Sequence, residues 1–560
     1  MDKWQIAAAL DEIARYVELG DPNPFRARAF ERAARALQKI EIGVDQLIAS
    51  GELTKTPGIG KATASIIEEL ARSGTSQYLE ELRAQYPSGI FELLRVPKLG
   101  LRKIGVLHAE LGVSNLADLE AAARAGKVAK LKGFGAKTQE LVLKGIAFAR
   151  ERESRFLLPA GIEIADSIRE RLASIGEIED AEISGSIRRR LEVVQNVNIV
   201  IATKSAAKVI GAIEKRAIVA GLEEIDAMTY RGRIDEIVVY FHLARPDDFA
   251  LLLLITTGSK EFVEAFVSRC KTTKARNEEE LFEKCGIPYV EPERRETADD
   301  LTLRKPRPLI EATQLRGTFH VHTTFSDGRN TVAEMLAAAR DRGFDYVGIS
   351  DHSETAAYAG GLGDEKLRAQ KVEIERERKS VAPMRVFRGT EADILTDGTI
   401  DYGAKRLAQF DFVIASVHSR FAMNKDEMTE RILRALDDPH VTFLGHLTGR
   451  LLLSRDGYTM DFDRVFERAG EREVMIEING NPNRLDIDWR HIKRALDRGV
   501  RFSINPDAHS VREYNALTTG TWVARKAGLS AREIFNTRPV EEVTDWLTAR
   551  KQKAEGRRQK

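Results

Sequence analysis

Two cysteines in 560 residues leave no material for a disulfide framework, and Cys270 and Cys285 lack the second pair that a zinc ribbon needs. A reducing cytoplasm is the expected setting. Long apolar runs are missing too. The longest, Phe249-Ala-Leu-Leu-Leu-Leu-Ile255, is far too short to span a bilayer, and Met1-Asp-Lys-Trp-Gln opens no signal peptide, so no membrane partner is expected. Charge of one sign is absent as well. The 87 Lys and Arg face 86 Asp and Glu, and residues 1–150 hold 22 basic against 18 acidic side chains. Any nucleic-acid contact there must be local rather than a broad basic field. Histidine is scarce, with only ten in the chain.

Six of those ten stand in short motifs with carboxylates: His320-Val-His322, Ser326-Asp327-Gly328, Asp351-His352, Glu391, Ser416-Val-His418, Gly445-His446 and Asp507-Ala-His509. Strand-like stretches precede them: 346–350, 384–388, 412–416, 441–445 and 501–505. Strands alternating with helical stretches predict a β/α barrel, whose strand C-terminal ends converge on one face. Imidazole and carboxylate groups delivered there suit a multinuclear metal site and hydrolytic chemistry. A single His at a strand end is more often a satisfied polar residue, but a set of this size is hard to explain that way. His108, His242, His440 and His491 lie outside the motifs and are expected to be ordinary.

The length calls for three or more domains. Residues 1 to about 150 read as almost all helix, with apolar spacing of three and four at Ile6, Leu10, Ile13, Tyr16 and Val17. Strand-like 180–184, 197–202 and 234–241 follow, then polar helix over 245–300. Pro306-Arg-Pro308 reads as a linker, and 551–560 as a disordered basic tail.

Within the helical region a glycine pattern recurs: Thr56-Pro-Gly58-Ile-Gly60-Lys61, Val96-Pro-Lys98-Leu-Gly100 and Leu131-Lys-Gly133-Phe-Gly135-Ala-Lys137. Gly-x-Gly at a helix start bares backbone amides toward an anion, and Lys61 and Lys137 can pair with the same phosphate. A lone match is a plain turn, whereas a triple one favours DNA-backbone binding. The middle hairpin departs from the pattern, with Lys98 where the first Gly belongs.

The hairpins resemble helix-hairpin-helix motifs, and nearly the whole chain resembles the bacterial family X DNA polymerases that carry a C-terminal polymerase-and-histidinol-phosphatase (PHP) domain. Asn23-Pro-Phe-Arg26-Ala-Arg28-Ala-Phe30 is similar to the family's opening helix. Gly185-Ser186-Ile-Arg188-Arg189 is similar to its palm signature, and Thr257-Gly258-Ser259-Lys260 to its nucleotide-side signature. The resemblance implies a multidomain fold: an all-α helix-hairpin-helix N-terminal region, an α/β nucleotidyltransferase-like palm with thumb, and a distorted β/α barrel. The implied ranges are 1–85 for the N-terminal domain, 86–152 for fingers, 153–242 for palm and 243–305 for thumb. A linker over 306–315, the PHP phosphoesterase domain over 316–550 and the tail 551–560 complete the chain.

In the family the palm holds Mg²⁺ with an Asp-x-Asp eleven and thirteen residues after the signature Gly, and with a third Asp on a later strand. Here those positions are Asn196, Asn198 and, in Arg233-Ile-Asp235, Asp235. Two negative charges are lost where dications must sit, so the polymerase site is expected to be inactive. Ile255-Thr256 replaces the family's Tyr-Phe pair, Gln195 its Gly and Ile66 its lyase lysine. The PHP ligand positions are all present. The resemblance assigns His320, His322, Glu391 and Asp507 to one metal, Glu391, His418 and His446 to a second, and Asp327, His352 and His509 to a third. Thr318 replaces an orienting Asp. Glu391, Asp507, His352 and Arg450 are expected to carry catalysis, with Arg450 and Arg484 near substrate phosphate.

The expected activity is phosphoester hydrolysis at DNA 3′ ends, as 3′–5′ exonuclease, 3′-phosphatase or abasic endonuclease, by a monomer using three divalent ions (Mn, Zn or Fe). Gapped, nicked or 3′-ended DNA is the expected partner. A working gap-filling polymerase, a DNA-binding scaffold and a small-molecule phosphatase are the rivals.

Overall fold

The computed structural model of the chain describes residues 3–20, 24–39, 44–87, 89–96, 99–152, 155–271, 274–302 and 307–556. They form two compact units, 1–153 and 154–560.

The first unit is helical, as its spacing predicts. In helix Lys3–Gly20, Ile6, Leu10, Ile13, Tyr16 and Val17 fall on one face and are buried. A single core runs from Ile6 to Ile146, so the ranges 1–85 and 86–152 share it. The three glycine hairpins share one turn hydrogen bond among the described residues. Ile59 N–H donates to Thr56 O, Leu99 to Val96 O and Phe134 to Leu131 O, each at 3.1 Å. Ile59, Leu99 and Phe134 are buried anchors, and a helix opens directly after each, at Lys61, Leu101 and Gly135. Gly58 (φ 98°), Gly133 (φ 89°) and Gly135 (φ 65°) adopt the left-handed backbone that the turn requires. Lys98 lies outside the described residues.

The second unit begins with a two-stranded ribbon, β1 (Phe156–Leu157) with β3 (Val193–Val194), and a five-stranded sheet ordered β2-β4-β7-β6-β5. Its strands are β2 (Ile178–Ser184), β4 (Asn196–Thr203), β5 (Ala220–Asp226), β6 (Thr229–Ile234) and β7 (Ile237–Ala244). The strand expected over 234–241 is therefore two. Asp235 takes φ 49° and the chain reverses, pairing Ile234 with Ile237. Helices Phe249–Thr257, Lys260–Arg269 and Glu278–Lys284 follow, with Cys270 and Cys285 joined as a disulfide, Cα–Cα 5.0 Å. Beside the expectation of no disulfide framework, this is a single local pair at a sequence separation of 15.

Residues 309–315, expected as linker, are packed rather than free: Ile310 and Leu315 are buried, and Ile310 N–H donates to Leu529 O. Seven parallel strands then form a barrel: β8 (Gly317–Thr318), β9 (Tyr346–Ile349), β10 (Arg385–Asp393), β11 (Phe412–Ser416), β12 (Phe443–Leu444), β13 (Met475–Asn479) and β14 (Phe502–Asn505). Closure comes just past β8 and β14, where His322 N–H donates to Ala508 O and Ala508 N–H to His320 O. Strands such as β11 are buried throughout, which explains their unbroken apolar run. Phe319, Tyr346, Phe387, Phe412 and Phe443 fill the interior together with Val543, Leu547 and Trp546 of helix Val540–Gly556. Arg550 of that helix donates to the carbonyls of Val441, Arg472 and Glu473, which precede β12 and β13. The helix therefore caps the N-terminal end of the barrel. Residues 551–556 of the expected tail continue this helix, held by Arg550 and the buried Ala554, and 557–560 lie outside the described residues.

Candidate metal centre

At the opposite end, the strand C-termini deliver the nine residues singled out in sequence to one place. Glu391, near the end of β10, is buried at its centre. Its carboxylate lies 3.5 Å from His320 Nε2, 3.6 Å from His322 Nε2 and 2.9 Å from His352 Nδ1. The other oxygen meets His418 Nε2 at 3.2 Å and His446 Nε2 at 3.0 Å. Asp507 Oδ1 stands 3.5 and 3.4 Å from His320 and His322 Nε2. Asp327 Oδ1 stands 3.6 Å from His352 Nε2 and 3.4 Å from His509 Nε2. Three groups have ligand atoms within 4.8 Å of one another: His322, Asp327, His352 and His509; His320, His322 and Glu391; and His352, Glu391 and His418. His322 and His352 each belong to two groups, so the sets interlock more than three separate ligand lists imply.

The donor chemistry fits cations. His320 Nε2, both His322 nitrogens, His352 Nδ1 and both Glu391 oxygens are buried with no hydrogen-bond partner, an arrangement that is costly unless a cation satisfies it. Burial, aided by the imidazoles of His509 and His352, pushes His322 down to about 3, leaving a neutral ring. Burial opposes the charge on Glu391 and Asp507, yet the surrounding imidazoles outweigh it and hold both carboxyls well below their usual range. Asp327 is held at about 2 against its burial by the hydrogen bond from His509 and by His322 and His352. His446 (φ 41°) and Asp507 (φ 53°) sit in the left-handed region, strain of the kind that clusters at functional sites.

Behind the ligands lie carboxylates that the sequence reading passed over. Glu477 on β13 accepts from His320 Nδ1 at 2.6 Å, and Asp393 on β10 pairs with His418 Nδ1 at 2.7 Å. Such partners fix the ring tautomer and orientation. Two signals were available. Glu477 is the lone carboxylate in the apolar run Val474-Met-Ile-Glu-Ile, and Asp393, two residues beyond Glu391, shares its strand face. Asp351 is buried and accepts from Thr323 N–H, Thr323 Oγ1, Ser326 Oγ and Gln370 Nε2, so it anchors the loop that carries Asp327. Gly328 is required there, since a Cβ would stand 2.6 Å from Thr323 N. Thr318 reaches Asn505 Oδ1 at 3.3 Å, and Asn505 in turn donates to Glu477.

The Arg450 guanidinium donates to Asp488, to Arg484 O and to Leu485 O, and so holds the 484–488 loop. Arg484 on that loop faces the centre, with Nε 3.4 Å from Asp507 Oδ2.

In the five-stranded sheet, Asn198 Nδ2 donates to Asn196 Oδ1 at 2.6 Å, and His242 Nε2 meets Asn198 Oδ1 at 3.1 Å. Gly185 (φ 68°) packs against Asn198. The β4–β7 register places Val238 beside Asn196 and Tyr240 beside Asn198. Asp235, expected as the surviving ligand, is instead exposed in the turn before β7, because the β6–β7 reversal moves it off the strand. Arg188 is bound by Glu278 at 2.7 Å and by Thr257, while Ser259 Oγ donates to Glu296 O. Lys61 and Lys137 are exposed at their helix starts, and the Gly60 amide is turned back onto Thr63 Oγ1 at 3.0 Å.

A family model described as Helix-hairpin-helix domain matches residues 1–76, and one described as PHP domain matches residues 318–481. Shorter relatives include proteins named Probable phosphatase. The one from Photobacterium profundum is 30% identical over 42% of this chain and 94% of its own length. The one from Clostridium acetobutylicum is 29% identical over 34% and 77%. Across 98% of its length the chain is 33% identical to the DNA polymerase/3′-5′ exonuclease PolX of Bacillus subtilis, of which it covers 99%. With likeness running from end to end and both terminal domains matched, the chain belongs to the PolX family, the bacterial family X DNA polymerases with a C-terminal PHP domain.

Proposed function

We propose that this protein is a metal-dependent phosphoesterase that removes nucleotides from DNA 3′ ends, on a polymerase-shaped frame that no longer polymerises. The observation that carries the reading is the contrast between its two candidate centres. Around Glu391 the nine expected ligands converge, and His320 Nε2, both His322 nitrogens, His352 Nδ1 and both Glu391 oxygens are buried without a hydrogen-bond partner. In the palm, Asn196 and Asn198 are neutral and bonded to each other, and Asp235 is off the strand. The activity named for the Bacillus subtilis relative and the phosphatases among the shorter relatives support hydrolysis.

His320, His322, Asp327, His352, Glu391, His418, His446, Asp507 and His509 would hold the divalent cations, three of Mn, Zn or Fe on this reading. Bound there, they would supply a water nucleophile at neutral pH and neutralise charge on phosphoryl oxygens. The chain's own residues do the rest. Glu477 and Asp393 aim His320 and His418, Arg450 pins the loop, and Arg484 offers its fork to the substrate phosphate. The hairpins hold the duplex through Lys61 and Lys137 and their helix starts, without reading sequence.

Parallel nuclease and polymerase assays on one gapped duplex with added Mn²⁺ test this. Release of 3′ nucleotides is expected to fall by about a thousandfold or more in Asp507→Ala/His509→Ala, with no incorporation of dNTPs by the wild type. Unchanged release by the double variant sinks the metal-site assignment. Incorporation sinks the inactive palm, and with it favours a gap-filling polymerase.

A further inference from the structure

The loop that follows Asp351-His352 is braced at both ends against the metal centre. Ser353 N–H donates to Glu391 O at 2.9 Å, and Leu362 N–H to His352 O at 3.0 Å. Ser353 and Leu362 pair across the loop, Thr355 N–H donates to Asp401 at 2.8 Å, and Lys366 Nζ holds Gly360 O at 2.6 Å. A Cβ on Gly361 would fall 1.9 Å from Ser353 O, so the loop closes as tightly as glycine permits. On this fixed turn Tyr358 is 71% exposed. Its ring centroid lies 6.1 Å from that of His352 and 6.1 Å from that of His418, at 60° and 74°.

Packing does not explain such a ring. Most of its surface is left to water, and of the two imidazoles beside it His418 is already held by Asp393. Cations and Arg484 recognise a phosphate, but nothing in that set recognises the nucleoside next to it. A rigid, exposed aromatic beside the phosphate site is the group that does, because every base offers a π-face. Resting on the exonuclease reading above, we infer that Tyr358 is a substrate-positioning residue whose ring stacks on the base of the 3′-terminal nucleotide.

The test uses the full-length protein with Mn²⁺ and two recessed duplexes that differ only at the 3′ terminus, one with a normal nucleotide and one with an abasic sugar analogue. If the wild type releases nothing from the normal end, the exonuclease reading fails and this inference falls with it. Given release, Tyr358→Ala is expected to raise KM on the normal end by about five- to a hundredfold, with kcat unchanged and the abasic end hydrolysed as by the wild type. Tyr358→Phe should match the wild type on both ends. Equal loss on both ends, no loss on either, or a loss in Tyr358→Phe equal to that in Tyr358→Ala overturns the stacking role while leaving the exonuclease standing. Mn²⁺ content is measured for each variant, and metal loss in Tyr358→Ala overturns it in favour of a structural role.

Discussion

At His320 and His418 the ring nitrogen turned away from the centre is held by a carboxylate, Glu477 in one case and Asp393 in the other. A negative partner there makes the inward nitrogen a better ligand. Glu477→Gln is therefore expected to weaken Mn²⁺ binding by about 10- to 100-fold, read by titration of the metal-free protein. An unchanged affinity would remove Glu477 from the site. The same carboxylates tie binding to pH. Burial disfavours the charged rings, but Glu391 and Asp393 raise His418 to about 9, and Asp327 and Asp507 raise His509 to about 9. A cation needs both rings neutral, so protons compete with it. Affinity should climb with pH and level off above about 9, with protons released on binding. Stability of the metal-free protein should run the other way. These pairs contribute fully below 6.5 and are lost as pH rises through about 9. Thermal midpoints that stay flat from pH 6.5 to 9 would rule this out. The convergence of the nine side chains at the centre was legible because imidazoles are rare in this chain and several of the motifs follow strand-like stretches. That the Arg450 guanidinium also binds Asp488 and two carbonyls shows only in the folded loop.

At the scale of elements, the β4–β7 pair decides what the palm can do. Its register sets Tyr240, not a carboxylate, beside Asn198. Restoring the Asp-x-Asp with Asn196→Asp/Asn198→Asp is therefore expected to leave dNTP incorporation at background in a primer-extension assay, since the third position stays neutral. Extension by that double variant would show that the two Asn alone silenced the site. The sequence placed β2, β4, β9, β11 and β14 well, because their apolar runs are bounded by polar residues. It merged β6 with the start of β7, because Asp235 is neither Gly nor Asn and signals no left-handed turn. It passed over β8, only two residues long, and β13. The hairpins were readable from glycine alone, since the turn at Gly58 and Gly133 demands a positive φ. Their shared buried anchors, Ile59, Leu99 and Phe134, emerge only from the folded helices.

Across the second unit, a chain of ion pairs joins palm, thumb helices and barrel. Arg188 and the fully buried Arg295 share Glu278, Arg189 meets Glu296, and Glu296 is also held by Lys526 from the barrel helix Ala516–Lys526. Arg490 reaches Glu192 at 2.6 Å, and Arg190 stacks on Trp522. Arg188, Arg189 and Arg190 are thus all engaged by partners within this unit. Burial pushes Lys526 down to about 8, against the pull of Glu296. Between pH 8 and 10.5 the unfolded chain holds a proton there that the folded chain does not, so stability should rise with pH across that window. The gain is at most about 3 kcal/mol. Urea midpoints at both limits should show this rise in the wild type and lose it in Lys526→Met. Identical slopes would mean that Lys526 titrates as it does in the unfolded chain.

The sequence by itself determined the helical start, the alternating barrel and the cluster of histidines and carboxylates at its strand ends, because periodicity, glycine and histidine are local signals. It also places Asn196 and Asn198 where the family resemblance implies two carboxylates. Only the tertiary structure decided that Asp235 is off the strand, that Arg450 is a brace, that Cys270 and Cys285 pair, and that Glu477 and Asp393 aim the histidines. Each of these depends on register or on partners distant in sequence, and no local pattern encodes them.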